Sequence, residues 1–250
     1  MNIQEFFETN GEVAVAFSGG VDSAVLLMLA ARYARRVKAY YVKTAFQPQF
    51  ELDDALQVAG LLHAEMEILE ADILSYPEVV ANPGNRCYYC KKEIFSRICA
   101  AAARDGFSAV LDGTNASDDI ADRPGFAALQ EMQVLSPLRL CGYTKAQIRE
   151  TARRSGLPVA DKPSYACLAT RIPTGTAITA GALAVTERAE NELRQLGLRN
   201  FRVRYREGDA LLELGRNDFD VFCRKKDAIY STLSAIYRNV YLNLKERPDE

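Results

Sequence analysis

The chain has 250 residues, 48% hydrophobic and 26% charged, with a formal net charge of −2 at neutral pH. That length supports a full core and one or two domains, and the composition is that of a globular protein. No apolar run approaches the ~18 residues of a bilayer span, so no membrane partner is expected, and the slight acidic balance argues against a long nucleic acid as the main partner. The opening Met1-Asn2-Ile3-Gln4-Glu5 has no basic region followed by an apolar one. A cytoplasmic location is therefore expected, where thiols stay reduced. The six cysteines then read as ligands, nucleophiles or core residues and not as disulfides.

In chain order, Val13–Phe17 reads as a strand and Ala24–Ala34 as the helix after it. Between them lies Ser18-Gly19-Gly20-Val21-Asp22-Ser23. A helix start leaves N–H groups unpaired and carries partial positive charge, which makes it an anion site. Gly19 and Gly20 remove the Cβ atoms that would hold a phosphate off the backbone. Ser18 and Ser23 add hydroxyls, and Asp22 is expected as the helix cap. The loop lacks the Gly-Lys-Ser/Thr ending of a kinase-type phosphate loop.

Val37–Lys43 reads as a second strand, Glu51–Leu62 as a helix and Glu65–Leu69 as a third strand. His63 reads as a structural residue on an apolar face. Lys91–Arg104 is alanine-rich and helical, and Ala109–Asp112 is a short strand ending at Gly113. Thr144–Ser155 is a helix capped by Thr144 and closed by Gly156. These alternations predict an α/β fold with a parallel sheet. Residues 161–177 break the pattern and read as a functional loop at a domain boundary. Beyond it come a helix at Thr179–Leu196, a hairpin of Phe201–Tyr205 and Ala210–Leu214, a helix at Asn217–Arg238 and a strand at Val240–Leu244. The expected division is 1–165 for a nucleotide domain and 166–250 for a smaller α+β domain.

Cys87-Tyr88-Tyr89-Cys90 admits half a zinc site, a redox pair or two cluster ligands. Its Cys90 is expected just before a helix. Cys167 falls in the irregular loop, where reactive thiols are found. Cys99, Cys141 and Cys223 lie among apolar residues and read as inert buried thiols. Period-2 geometry puts Arg202, Arg204 and Arg206 on one strand face, suited to gripping phosphate. A solvated face is the plainer reading of the same pattern.

Ser18–Ser23 resembles the PP-loop of the N-type ATP pyrophosphatases, which split ATP between the α and β phosphates. Arg86-Cys87-Tyr88-Tyr89-Cys90-Lys91, Asp112-Gly113-Thr114-Asn115 with Asp118-Asp119, Arg123-Pro124-Gly125, and Pro163-Ser164-Tyr165-Ala166-Cys167-Leu168-Ala169-Thr170-Arg171 are together similar to the LarE family of ATP-dependent sulfur transferases. The resemblance implies a doubly wound α/β sheet of the adenine nucleotide alpha hydrolase type. It implies adenylylation of a carboxylate of pyridinium-3,5-biscarboxylic acid mononucleotide, then replacement of oxygen by sulfur, in nickel-pincer cofactor synthesis. It implies ATP and Mg²⁺ as cofactors, with Ser18, Gly19, Gly20, Val21, Asp22, Ser23, Gly113 and Arg123 at the nucleotide. It implies Cys167, Asp22 and Ser23 in catalysis, and Asp22 and Asp118 near Mg²⁺. Arg171, Arg202 and Arg204 are implied at the substrate.

One branch of the family sacrifices a single cysteine, at the position of Cys167. The other holds a [4Fe-4S] cluster on three, here matched by Cys87, Cys90 and Cys167. Glu190, Glu213 and Asp220 match acidic residues that bind a divalent metal there. A sulfide donor and a homo-oligomer are implied as well. The residues leave open a sacrificial-cysteine enzyme, a tRNA-thiolation enzyme and a non-catalytic ATP sensor.

Overall fold

A computed structural model describes residues 1–119 and 124–247. In chain order the elements are α1 (Ile3–Thr9), β1 (Glu12–Ala16), α2 (Val21–Tyr33), β2 (Arg36–Lys43), α3 (Gln49–Leu61), β3 (Met66–Glu70), α4 (Pro77–Val80), α5 (Arg86–Arg104), β4 (Ala109–Leu111), α6 (Pro124–Glu131), α7 (Pro137–Leu140), α8 (Lys145–Arg154), α9 (Ala180–Gln195), β5 (Phe201–Arg206), β6 (Asp209–Leu214), α10 (Arg216–Ser234) and β7 (Val240–Leu242). Two compact units result. The first joins residues 1–73 to 85–162, and the second joins residues 74–84 to the chain from Pro163 onward. Segment 74–84, upstream of Cys87 in sequence, thus groups with the later part of the chain.

The first unit is built on a parallel sheet of order β3-β2-β1-β4. Its central strand is buried on both faces, as a parallel strand between helices must be. Val13 and Val15 face a core with Leu26, Leu27, Val58 and Ile148, from α2, α3 and α8. Ala14 and Tyr40 face another with Phe95 and Ile98 of α5. Thr144 caps α8 by a reciprocal box with Gln147, as the sequence suggests. No helix among the described residues is long and apolar enough to cross a membrane.

The second unit carries β5-β6-β7, with β5 and β6 antiparallel and β6 and β7 parallel. The hairpin turns through Glu207 and Gly208, both at positive φ, which matches the right-handed twist of its strands. Leu193, Val203, Leu212 and Leu233 form its buried core.

Three local expectations change. The helix bearing the cysteine pair begins at Arg86, so Cys87 and Cys90 both lie within it. His63 is an exposed turn residue at φ 50° and not part of an apolar face. Cys223 is exposed, because it falls on the solvent side of α10.

A charge cluster ties α5 to the sheet. Asp105 accepts from Lys38 Nζ at 2.5 Å, Tyr40 at 2.8 Å and Arg104 Nε at 2.8 Å. Glu67 pairs with Lys38 at 2.8 Å and Arg104 at 2.7 Å. Arg104, then Lys38, hold the Asp105 carboxyl below its usual range; Lys38, then Arg104, do so for Glu67. A carboxylate whose folded pKa is depressed stabilises above its unfolded value and loses that contribution as pH falls. Asp105→Asn should therefore lower the urea midpoint at neutral pH. Its gap from wild type should shrink as pH drops below about 4. A gap that is constant with pH would contradict this reading.

Candidate active site

β1 sits between β2 and β4, and α2 after β1 packs in one core while α6 after β4 packs in the other. In open α/β sheets the crevice outside the carboxyl ends of two such strands is where ligands bind. Residues 17–20 follow β1, and residues 112–115 follow β4. The two turns meet. A Cβ on Gly113 would lie 3.0 Å from the Ser23 backbone nitrogen and 3.3 Å from the Asp22 carbonyl carbon. Gly19 adopts φ +75°, and a Cβ there would lie 2.9 Å from the Ala55 Cβ. Both positions therefore need glycine, one for a close backbone approach and one also for its dihedral.

Ser23 Oγ organises the turn. It accepts from the Ser18 N–H at 3.2 Å, lies 3.0 Å from Ser18 Oγ and donates to the Gly20 carbonyl at 3.1 Å. α2 then runs for 13 residues, and its first N–H groups have no partner within the helix. Together they form a cradle for an anion such as a phosphate.

Asp22 is not the helix cap. Gly20 holds that position, and Asp22 is the second helical residue. Its carboxylate accepts from Asn115 Nδ2 at 3.1 Å and from Lys145 Nζ at 2.5 Å. Lys145, the first residue of α8, is a site residue that sequence reasoning missed. It lies 123 positions from Asp22, and no local pattern marks it.

The β4 turn is tightly bonded as well. Asp112 accepts from Thr114 and Ser136 hydroxyls, each at 2.5 Å. Asp118 accepts from the Asn115 N–H at 2.9 Å. Arg139 donates to the Asp118 carbonyl at 2.9 Å. Asn115 thus links Asp118 to Asp22. Arg123 lies outside the described residues.

Cys87 and Cys90 stand one helical turn apart on α5, exposed and half-buried respectively, which puts them on one helix face. Cys99 and Cys141 are half-buried free thiols, and burial pushes both pKa values up, consistent with inert behaviour.

In the second unit, Cys167 opens a 3₁₀ turn, Leu168–Arg171. Arg171 is 1% exposed and Glu190 is fully buried. Arg171 Nε and Nη2 grip the two Glu190 oxygens at 2.8 and 3.0 Å. Tyr165 OH and the Val203 N–H add bonds at 2.7 and 3.1 Å. Burial, and then the Glu190 charge, push the Tyr165 phenol above its usual range, so it stays a donor. Arg171 Nη1 reaches the Ala166 carbonyl at 2.7 Å. Arg171 is thus a buried brace of the thiol loop and not an open substrate ligand.

The acidic residues change role for the same reason. Glu190 has its oxygens filled by Arg171, Tyr165 and Val203. Glu213 accepts from Arg204 Nε at 3.0 Å and pairs with Arg247 at 3.6 Å. Asp220 is exposed on α10. The buried carboxylate nearby is Asp218, which accepts from the Arg199 and Asn200 N–H groups at 2.9 and 2.6 Å. Among the described residues, no three His, Cys, Asp or Glu side chains gather into a metal site. Neither the expected divalent-metal set of Glu190, Glu213 and Asp220 nor the expected cluster set of Cys87, Cys90 and Cys167 is therefore gathered as a ready metal site. Arg202 and Arg204 do share a face of β5, although Arg204 also donates from Nη1 to the Thr170 carbonyl at 2.5 Å.

Comparison with known proteins agrees with this geometry. Residues 5–123 match the asparagine synthase family model. An uncharacterised protein of Synechocystis is 36% identical over 85% of this chain and 80% of its own length. The pyridinium-3,5-bisthiocarboxylic acid mononucleotide synthase of Lactiplantibacillus plantarum is 33% identical over 93% of this chain and 85% of its own. A tRNA-specific 2-thiouridylase of Thermotoga petrophila is 26% identical over 60% of this chain and 54% of its own. A switch-point glycine cradle on this sheet, with these relatives, defines an ATP-dependent sulfurtransferase built on a PP-loop ATP pyrophosphatase domain. Within that class, the chain belongs to the LarE family.

Proposed function

We propose that this chain adenylylates a carboxylate of pyridinium-3,5-biscarboxylic acid mononucleotide and converts it to a thiocarboxylate. The observation that supports it best is the switch-point cradle of Ser18–Ser23 closed by Gly113, in a chain that also carries Cys87, Cys90 and Cys167. A substrate carboxylate oxygen attacks the α-phosphorus of ATP. The bond to the bridging oxygen breaks, and pyrophosphate leaves with that electron pair. The cradle's N–H groups and the Ser18 and Ser23 hydroxyls stabilise the charge that develops there. Lys145 and Asn115 hold Asp22 in place beside them. Bound Mg²⁺ would offset phosphate charge, with Asp22 and Asp118 as the fitting oxygen donors. A sulfur nucleophile then adds to the acyl-adenylate carbonyl, and AMP leaves with the carboxylate oxygen. Arg202 and Arg204 are assigned to the substrate phosphate, Arg204 through the part of its guanidinium turned away from Glu213 and Thr170.

For the sulfur source we propose a [4Fe-4S] cluster on Cys87, Cys90 and Cys167. Three thiolates are the right donor set in kind and the first two share a helix face, while among the described residues the three are not already gathered as a metal site. When bound, the cluster would supply sulfide as a soft nucleophile and spare the protein from consuming itself. The second reading is that Cys167 alone gives up its sulfur. The Cys167 peptide is to be weighed by mass spectrometry after one anaerobic turnover, with iron and labile sulfide measured in wild type and Cys87→Ala. The cluster reading expects an intact Cys167, and iron that Cys87→Ala removes. Dehydroalanine at position 167 would overturn it in favour of the sacrificial route.

A further inference from the structure

Asn82 is a polar residue with 0% exposure, held at φ +55°. Asparagine tolerates this left-handed region better than other side-chain-bearing residues. Its side-chain amide faces three carbonyls of one loop. Nδ2 lies 2.8 Å from the Pro173 oxygen, 3.1 Å from that of Thr176 and 3.4 Å from that of Ile172. Its own carbonyl accepts from the Gly175 N–H at 2.9 Å, and the Val80 carbonyl accepts from the Ile178 N–H at 2.9 Å. The loop after Cys167 is therefore fastened to segment 74–84, about ninety positions earlier in the chain. The loop's other end is fastened by Arg171, whose Nη1 holds the Ala166 carbonyl and Thr170 Oγ1 while its remaining nitrogens grip Glu190. Cys167 lies between these two attachments on a stretch with only one short 3₁₀ turn of its own.

We propose that Asn82 is a positioning residue for the sulfur step, acting by fixing the loop that carries Cys167. This deepens the function proposed above and rests on it. The chemistry of the side chain explains why no near-isostere serves. Aspartate would set a carboxylate against three carbonyl oxygens, and leucine would take the amide donor from all three, leaving Pro173 only the Thr176 N–H. Attack by a thiol or sulfide on a carbonyl tolerates little displacement of the sulfur. With the 172–176 attachment gone, Cys167 would be held from the Arg171–Ala166 side alone, and a displacement of about 1 Å would already make fewer encounters with the activated carbonyl productive.

The test compares wild type with Asn82→Gly, which keeps the backbone angle and removes the amide, and Asn82→Asp, which keeps the shape and reverses the polarity. Two readouts are taken on the full-length protein. The first is iodoacetamide labelling of Cys167 against exposed Cys223, read by peptide mass spectrometry. The second is pyrophosphate release set beside thiocarboxylate formation, with pyridinium-3,5-biscarboxylic acid mononucleotide as substrate. Faster labelling of Cys167 alone is expected in the variants. Thiocarboxylate kcat should fall by about tenfold or more, while KM and pyrophosphate release stay within about twofold of wild type. Wild-type labelling, or faster labelling with normal transfer, would overturn the proposal, as would equal losses in both half-reactions. If Asn82→Asp fails to fold, Asn82→Gly decides. If wild type forms no thiocarboxylate, the functional reading fails, and the labelling still decides whether Asn82 fixes the loop.

Discussion

Asp22→Ala is expected to lower ATP-dependent pyrophosphate release by about a hundredfold in a protein that stays folded. The carboxylate is bonded to Lys145 and Asn115, so its loss releases a lysine from α8 and an amide from the β4 turn at once. Both side chains border the cradle, and each would lose the bond that holds it there. The core beneath, Val13, Val15 and Leu26, does not touch that carboxylate and is buried by apolar packing, so the melting temperature should change little. Ser23→Ala should act in the same direction, because Ser23 Oγ is the only side chain bonded to both Ser18 and Gly20 among the described contacts of the turn. The measurement is pyrophosphate release under saturating ATP, paired with thermal unfolding. A folded Asp22→Ala protein with wild-type release would remove the cradle from the mechanism.

Cys167→Ala is expected to reduce thiocarboxylate formation by about a thousandfold or more, with pyrophosphate release retained. Both sulfur sources need this thiol, one as ligand and one as donor, so the prediction does not depend on which operates. The alanine should also be tolerated structurally. The Cys167 carbonyl, not its sulfur, is what accepts from the Thr170 N–H and hydroxyl at 2.9 and 2.8 Å. Product analysis by mass spectrometry, alongside a pyrophosphate assay, gives both numbers from one reaction. Full sulfur transfer by Cys167→Ala would remove this residue from the chemistry.

The nucleotide site was legible in the sequence because its signals are local. Glycines, serines and the flanking apolar runs all lie within residues 13–34, and the strand and helix appear there. Lys145 and Asn115 were not legible as partners of Asp22, since contacts across the tops of strands follow from topology and not from spacing. The start of α5 was hidden for a different reason. Asn85 makes no side-chain cap bond, and Cys-Tyr-Tyr-Cys lacks strong helix formers. In the second unit, Arg171 and Glu190 were expected as substrate and metal ligands, and full burial of ionised residues is seldom met. They are buried here because each satisfies the other with paired bonds. Asn82 was not singled out, because its three carbonyl partners lie about ninety positions along the chain.

The central claim is that ATP cleavage between the α and β phosphates activates a carboxylate for attack by sulfur. The most direct measurement is the stoichiometry of one anaerobic turnover with the pyridinium dicarboxylate mononucleotide, counting AMP, pyrophosphate and thiocarboxylate together. Equal amounts of all three are predicted. AMP and pyrophosphate without sulfur in the product, or thiocarboxylate formed without ATP cleavage, would contradict it.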